Sequence, residues 1–289
     1  MNSQFSPVIA GTMLWGSFGR KLNTHDMAHL IRHCVLNGIH TFDHADIYGG
    51  YTTEADFGTA WVASEIKRSD IQLISKCGIN MICDARPFKT GHYDHSMDHI
   101  IRQCEASLTH LATDYLDLLL IHRPSPLMDP HVVAEAATKL KEQGKILAFG
   151  VSNFTPSQTD LLRQLIPVEY NQIEFSVTHH SPLTDGSLDH MMLHKIRPMA
   201  WGPMGTVFKH QDEQSRRVRK VTAELAKKYE VEEDTILLAW IHAHPSGIIP
   251  VVGTADELRI SKLRQALEVR LELEEWFTLY QAGMGHPVP

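Results

Sequence analysis

Apolar and polar positions along the chain follow two patterns that alternate from one end to the other. Short apolar runs are each followed by a stretch in which apolar residues recur three or four positions apart, which is typical of a strand followed by an amphipathic helix. Residues 24–35 show the helical pattern, with Asn23 as a capping residue before it and Gly38 after it. The run 115–121 is apolar except for one aspartate, as expected of a parallel strand buried on both faces. This alternation predicts an α/β fold with a parallel sheet.

Eight strands are predicted, and helices are expected between them and after the last one. The predicted strands are 8–13, 39–42, 71–74, 115–121, 146–151, 168–172, 197–201 and 247–252. Helices predicted in the second half of the chain are 156–165, 188–194, 216–229, 234–243, 256–267 and 274–282. Eight such units predict a closed (β/α)8 TIM barrel with extra C-terminal helices.

A doubly wound open sheet is the alternative α/β architecture. Its dinucleotide signature is G-x-G-x-x-G directly after the first strand, and Gly11, Gly16 and Gly19 do not have that spacing. A length of 289 residues without a linker fits one barrel domain over 1–289. The longest irregular stretch, 77–95, follows the third strand and is interpreted as a substrate-pocket loop.

Composition restricts the environment and the partners. The chain has 43% hydrophobic and 21% charged residues and no apolar run long enough to cross a bilayer. Residues 1–5 lack the basic and apolar regions of a secretory signal, so a cytoplasmic location is expected. A net charge of -7 without a basic block argues against nucleic acid as a partner. The four cysteines form no C-x-x-C pair, and Cys34 and Cys104 are predicted to be buried thiols. The oligomeric state stays open.

Three ionisable residues, Asp43, Lys76 and His122, come directly after three consecutive predicted barrel strands. Because the carboxyl ends of barrel strands form the active-site face, these side chains are expected to meet there. A tyrosine close by, Tyr48, becomes a useful proton donor when an ammonium stabilises its phenolate, and Lys76 is placed to do this. The group suits protonation of a carbonyl oxygen. It does not suit nucleophilic catalysis, since G-x-S-x-G is missing.

Four motifs make a family resemblance specific. They are D-x-A-x-x-Y-G at 43–49, S-K-C-G at 75–78, L-L-L-I-H-R-P at 118–124 and G-V-S-N-F at 150–154. With them the chain resembles the aldo-keto reductase family nearly from end to end, and within it the bacterial YdhF-type oxidoreductases. The resemblance implies a barrel that binds NADP(H) in extended form and reduces small aldehydes or ketones. It assigns the catalytic roles to Asp43, Tyr48, Lys76 and His122, with Tyr48 as the proton donor.

The same resemblance assigns the cofactor site residue by residue. Ser152, Asn153 and Gln172 would hold the nicotinamide carboxamide, and Trp201 would stack on the nicotinamide ring. The other implied contacts are Pro203, Met204 and Gly205 near the pyrophosphate, Gly253 and Thr254 at a phosphate, and Arg259 at the 2'-phosphate.

The sequence departs from the family pattern at several of these places. Trp201 stands where tyrosine is more common, Gly253 where lysine is frequent, and Lys262-Leu263 where Glu-Asn often follows the arginine. Lys262 is therefore a candidate to supply positive charge near the ribose phosphate. The N-terminus is short, with little room for the hairpin that commonly closes the barrel base.

Each candidate also has an ordinary structural explanation when taken alone. Asp43 and Lys76 can be a buried ion pair, and Arg123 can pair with Asp129 as well as face an acidic substrate. Nineteen histidines raise a metal hypothesis, but H-E-x-x-H and a Cys/His framework are absent, so no metal is predicted. A cofactor-binding regulatory or partner-docking barrel with little turnover is the alternative to a working reductase.

Overall fold

The structure is a computed structural model that describes residues 5–289. Eight parallel strands close a barrel in the order β1-β2-β3-β6-β7-β8-β9-β10 and back to β1. This confirms the predicted (β/α)8 architecture. The barrel strands are β1 Ile9–Gly11, β2 Thr41–Asp43, β3 Gln72–Cys77, β6 Leu116–Ile121, β7 Ile146–Ser152, β8 Tyr170–Glu174, β9 Arg197–Trp201 and β10 Ile249–Val252.

Ten α-helices surround the barrel in the described part of the chain. Helix α2 follows β2 without a clear amphipathic pattern, because threonine, glutamate and serine are among its buried residues. Both helices predicted between the last two barrel strands are present, and so is the additional one at the C-terminal end. The helices are α1 Thr24–Leu36, α2 Thr53–Ser64, α3 Met97–His110, α4 Pro130–Glu142, α5 Pro156–Arg163, α6 Ser187–Leu193, α7 Glu213–Tyr229, α8 Glu233–His242, α9 Glu257–Lys262 and α10 Leu273–Met284.

Two strands extend further than their apolar runs. Strand β2 includes Asp43, and β3 continues past Ile74 through Lys76, which pairs with Leu120 of β6. The prediction that Asp43 and Lys76 lie just beyond their strands is therefore wrong by one or two residues. An apolar run marks where a strand is surrounded by apolar neighbours, and these two charged residues stay in the sheet because they neutralise each other inside the barrel.

The barrel interior is filled by apolar side chains below the charged layer. At the base, the ring centroids of Phe5 and Tyr170 lie 5.0 Å apart. From residue 5 up to β1 there is no hairpin, and Phe5 packs into the interior cluster. The buried members of that cluster are Phe5, Ile9, Ile74, Leu118, Leu120, Ala148, Met199, Ile249 and Val251. An aromatic side chain, that of Phe5, thus closes this end of the interior cluster.

The stretch between β3 and α3 is more regular than predicted. It contains two short antiparallel strands, β4 Ile79–Asn80 and β5 His92–Tyr93. The hairpin follows Gly78, whose φ of +106° favours glycine, and a Cβ placed there would lie a tight 3.1 Å from the His95 ring. Helix α9 is also shorter than predicted, because the chain tightens into a 3-10 turn over Leu263–Leu267.

The structure bears on the predictions about the cysteines, the membrane and the N-terminal segment to different extents. All four cysteines are free, and Cys34 and Cys104 are buried as predicted. In the stretch 5–289 no helix is both long and apolar enough to cross a bilayer. The expectation that no secretory signal is present concerns residues 1–5, most of which lie outside the described residues.

Candidate active site

Lys76 is the centre of a compact group of polar side chains at the carboxyl ends of β2 and β3. Its Nζ lies 2.7 Å from Asp43 Oδ2, 3.1 Å from the Tyr48 hydroxyl and 2.8 Å from the carbonyl oxygen of His44. The Lys76 side chain is only 1% exposed. All three donor positions of the ammonium are therefore engaged, which fixes the side chain against Tyr48.

The ionisation of Tyr48 and Lys76 is set by burial and by their mutual contact. Burial raises the pKa of Tyr48 above its ordinary value, and the neighbouring Lys76 opposes this rise. Burial alone would lower the pKa of Lys76, but Asp43 and Tyr48 together hold it above its usual value. Tyr48 is thus a protonated phenol beside a permanent cation. The charge of Lys76 favours the phenolate only once a proton leaves.

His122, the fourth of the predicted catalytic residues, lies directly after the end of β6. Its ring centroid lies 6.2 Å from that of Tyr48, in an edge-to-face arrangement. Burial, together with the charges of Lys76 and Arg123, lowers the pKa of His122 well below its ordinary value. The imidazole is therefore neutral near pH 7, and its Nδ1 makes no hydrogen bond within the described residues.

A chain of hydrogen bonds joins the catalytic group to the predicted nicotinamide contacts. Gln172 Nε2 donates to Asp43 Oδ1 at 2.8 Å, and Ser152 Oγ donates to the carbonyl oxygen of Gln172 at 2.9 Å. Asn153 Nδ2 donates to Ser152 Oγ at 2.8 Å, while its Oδ1 accepts from Trp201 Nε1 at 2.9 Å. The structure thus brings these four residues together across the adjacent ends of β7, β8 and β9.

Asn153 has a backbone conformation that few side chains tolerate. Its φ is +60°, in the left-handed region, which asparagine adopts more readily than most residues. This turn directly after β7 points the amide toward Trp201 and Ser152. Asparagine therefore suits this position both because its amide makes two side-chain hydrogen bonds and because it tolerates a positive φ.

Two loops at the ends of β9 and β10 hold the remaining predicted cofactor contacts. These strands pair directly, with Val251 opposite Trp201. Pro203 is buried, Met204 and Gly205 are half-buried, and Gly253 is exposed. A Cβ placed on Gly253 would meet only Leu14, at 4.0 Å, so its backbone is open to a ligand. Trp15 Nε1 donates to the carbonyl oxygen of Thr254 at 2.9 Å and anchors the second loop.

Helix α9 carries the two predicted phosphate contacts, and they differ in their surroundings. Arg259 is exposed, and within 5–289 no ion pair joins it to Asp256 or Glu257 on its own helix. Lys262 Nζ instead bonds Glu232 Oε1 at 2.7 Å. Lys262 therefore already has a counter-charge, whereas Arg259 is free of the competing pairs considered from the sequence.

Arg123 and a pair of buried carboxyl groups lie near the site, and only the fold shows what surrounds them. The guanidinium carbon of Arg123 lies 5.5 Å from the centroid of the Trp201 ring. Asp46 and Glu54 are buried carboxyl groups, and the backbone N–H of Asp46 donates to the carbonyl oxygen of Lys76 at 3.1 Å. Burial, followed by the charge of Glu54, raises the pKa of Asp46 well above its usual value. Asp46 falls at an unspecified position of the D-x-A-x-x-Y-G motif at 43–49, and only the fold reveals that Glu54 of α2 lies close to it.

His190 and His194, two of the histidines that raised the metal hypothesis, lie on α6 and directly after it. His190 and His194 have ring centroids 4.6 Å apart, and His190 Nε2 bonds Asp160 Oδ1 at 2.9 Å. Arg163 also contacts Asp160, at 3.3 Å. Asp160, His190 and His194 are close enough together to hold a cation. The contacts shown are those of a polar link between α5 and α6.

Comparison with known proteins agrees with this geometry. The Aldo/keto reductase family model matches residues 7–282. The chain belongs to the aldo/keto reductase family. It is 42% identical to the uncharacterized oxidoreductase YcsN of Bacillus subtilis, over 99% of this chain and 97% of YcsN. It is 37% identical to the oxidoreductase YdhF of Escherichia coli, over 99% of this chain and 96% of YdhF.

A solved structure of an aldo/keto reductase from Klebsiella pneumoniae, in complex with NADP and acetate, has the same fold. Its TM-score to this chain is 0.78 at 24% identity, covering 98% of this chain and 92% of that one. The chain is thus an oxidoreductase of a family that reduces carbonyl groups, in agreement with the motifs from which the resemblance was inferred.

Proposed function

We propose that this aldo/keto reductase family member reduces small aldehydes or ketones to alcohols with NADPH, and that Tyr48 donates the proton. The observation that carries the proposal is the position of the Lys76 ammonium, which contacts both Asp43 and the Tyr48 hydroxyl. An ammonium held in this way stabilises negative charge on the phenol oxygen at the moment the proton leaves.

The proposed roles divide the reaction among the four residues. A bound nicotinamide cofactor supplies the hydride for such a reduction. Tyr48 gives its proton to the carbonyl oxygen, Lys76 stabilises the resulting phenolate, and Asp43 keeps Lys76 charged and oriented. His122, being neutral, donates a ring N–H to the same carbonyl oxygen and so helps to polarise it.

The residues around the mouth fit a nicotinamide dinucleotide. The Ser152-Asn153-Trp201 hydrogen bonds present an amide and a flat aromatic ring side by side, as the carboxamide and the ring of nicotinamide require. Gly253 leaves its backbone open, and Arg259 is an exposed cation on the following helix. These features support binding of NADPH, including its 2'-phosphate, across the ends of β7 to β10.

The first test replaces the proton donor and its activator. Tyr48→Phe should lower carbonyl reduction by roughly 10²- to 10⁴-fold, since general acid catalysis is worth that much. Lys76→Met should be comparably damaging, because the phenolate would then lack its stabilising charge. Turnover is measured as NADPH oxidation over a panel of aldehydes and ketones.

Cofactor affinity is the control for that experiment. Tyr48→Phe removes only a hydroxyl, so the dissociation constant of NADPH should change by less than about twofold, well below the effect of losing a charged contact. Near-parental turnover in both variants would contradict the assignment. An unaltered protein that binds NADPH but reduces no carbonyl compound would favour the regulatory barrel. The presence of Tyr48 and His122 favours the reductase, because a regulatory barrel does not need them.

A further inference from the structure

Arg123 occupies a position between the catalytic group and the predicted nicotinamide contact. It directly follows His122 at the end of β6, and its guanidinium carbon lies 5.5 Å from the Trp201 ring centroid. Its charge lowers the pKa of Tyr48, which burial raises. It also lowers the pKa of His122, in the same direction as burial. The side chain is half-buried.

No carboxylate pairs with this guanidinium among residues 5–289. The partner considered from the sequence, Asp129, instead caps α4 by accepting from the backbone N–H of His131 at 2.9 Å. Among the other half-buried arginines, Arg68 lies 2.7 Å from Asp117 Oδ2 and Arg217 lies 3.2 Å from Glu213 Oε1. The remaining three, Arg32, Arg86 and Arg219, donate to carbonyl or amide oxygens. A half-buried guanidinium is stabilised when an anion pairs with it, and a planar carboxylate matches its two parallel N–H donors.

The surroundings restrict which anion can pair with Arg123. Asp43 is already bound by Lys76 and Gln172, and the whole chain has a net charge of -7. A cation kept unpaired beside the catalytic tyrosine of an acidic protein attracts a small negatively charged ligand to that place. Because the charge of Arg123 acts on both Tyr48 and His122, the ligand's anionic group is expected to lie only a few bonds from its reacting carbonyl.

We infer that Arg123 binds an anionic group of the substrate, so that the preferred carbonyl compounds are short acidic aldehydes or ketones carrying a carboxylate or a phosphate. This inference rests on the proposed function, because it uses the same site and names its substrate class. Arg123 orients the substrate and determines specificity, while Tyr48 remains the proton donor.

The test compares carbonyl compounds that differ in charge and hardly in shape. Succinate semialdehyde is paired with its methyl ester, and glyceraldehyde 3-phosphate with glyceraldehyde. The unaltered protein should show a higher kcat/KM for the charged member of at least one pair, by roughly ten- to a hundredfold, as expected for charge-assisted hydrogen bonds. The pair that shows the preference tells whether the anion is a carboxylate or a phosphate.

Substitution of Arg123 should remove this preference and spare the chemistry. In Arg123→Met the kcat/KM for the charged substrate should fall roughly ten- to a hundredfold, mainly because KM rises, whereas the kcat/KM for the neutral member should change by less than about twofold. Arg123→Lys should recover part of the preference because it keeps the charge. Arg216→Met is the matched control, since Arg216 is an exposed arginine on α7 that has no role in the proposed site.

Three outcomes would overturn the inference. They are an unaltered protein without preference for either charged member, an Arg123→Met variant that loses both members of a pair equally, and an Arg123→Met variant with weakened NADPH binding, which would place Arg123 in the cofactor site.

Binding of butyrate, followed by intrinsic fluorescence in the presence of NADP, separates this inference from the proposed function. Saturable butyrate binding that disappears in Arg123→Met supports the anion site even if no carbonyl is turned over, in which case the proposed function alone fails. Butyrate binding that is equal in the two proteins overturns the anion site whatever the turnover.

Discussion

At the scale of single residues, the decisive feature is a lysine that is both buried and charged. Lys76 keeps its proton because Asp43 lies 2.7 Å away, and it transmits that charge to Tyr48 at 3.1 Å. Burial nevertheless raises the pKa of Tyr48, so the cation alone does not bring that pKa close to neutral pH. Lys76 therefore acts during proton transfer rather than before it.

This balance predicts a simple pH dependence. Tyr48, with a raised pKa, stays protonated up to at least its ordinary value of about 10, and His122, with a lowered pKa, stays neutral down to below about 6.5. The kcat/KM for carbonyl reduction should thus be nearly constant from about pH 6.5 to at least about pH 9, and a fall caused by loss of the Tyr48 proton should appear only above about pH 10. A fall in reduction toward acid pH with a midpoint near 6.5 would show that His122 titrates and would contradict the buried, neutral imidazole.

Trp201 is the residue where the cofactor prediction can be tested by shape. Its ring offers a flat surface, and its Nε1 fixes the Asn153 amide at 2.9 Å. Trp201→Ala should weaken NADPH binding by roughly tenfold, since an aromatic contact contributes about that much. Trp201→Tyr keeps a ring and should lose less. Fluorescence titration with NADPH measures both, and equal affinities in all three proteins would remove the stacking role.

At the scale of elements, the sequence predicts where strands lie better than where they end. The eight apolar runs were sufficient for the barrel, because a parallel strand covered on both faces leaves a continuous apolar signal. Asp43 and Lys76 lie within β2 and β3, where charge ends the signal although the hydrogen-bonded ladder continues. The β4 and β5 hairpin has two residues per strand, too short to produce an alternating pattern.

The candidate site shows the same division between local and distant information. Motifs sufficed to predict which residues gather around Tyr48, since each lies within a short segment at a strand end. The contact of Gln172 with Asp43 joins residues 129 positions apart, and the facing of Asp46 by Glu54 needs the packing of α2 on the barrel. The sequence also could not predict that Arg123 lacks a carboxylate partner, because this depends on the direction of the Asp129 side chain.

The C-terminal helix α10 is held by a stacked tryptophan pair. Trp240 of α8 and Trp276 lie with ring centroids 4.9 Å apart, and each indole N–H donates to the other's carbonyl oxygen, at 3.1 and 3.0 Å. Trp276→Ala should lower the free energy of unfolding by about 3 kcal/mol through lost packing. Trp276→Phe keeps a ring, loses one hydrogen bond and should cost about 1 kcal/mol.

Denaturant unfolding of the two Trp276 variants measures this prediction. NADPH affinity is the control, because α10 carries none of the proposed cofactor contacts. Two variants with equal stability losses would mean that the stacked ring does not hold the helix.

At the scale of the whole molecule, the proposed cofactor must span the barrel mouth on a protein whose net charge is negative. The Ser152-Asn153-Trp201 group and helix α9 carry the two proposed ends of that path, and a net charge of -7 repels an anionic dinucleotide. Binding therefore depends on local cations and backbone amides. Because Lys262 is paired with Glu232, Arg259 is the cation of α9 best placed for the 2'-phosphate.

The last prediction concerns this arginine and the choice of cofactor. Arg259→Ala should weaken NADPH by roughly ten- to a hundredfold, since hydrogen bonds between charged groups contribute about 1.5 to 3 kcal/mol, and NADH should hardly change because it lacks the 2'-phosphate. Dissociation constants for both cofactors provide the measurement. Lys262→Ala is the matched control on the same helix, and the Glu232 pair predicts a smaller effect for it. The NADPH loss should also shrink at high salt, because the contact is exposed and screened. Equal loss of both cofactors would mean that Arg259 stabilises the helix rather than the phosphate, and unchanged constants would leave the preference for NADPH without its proposed cause.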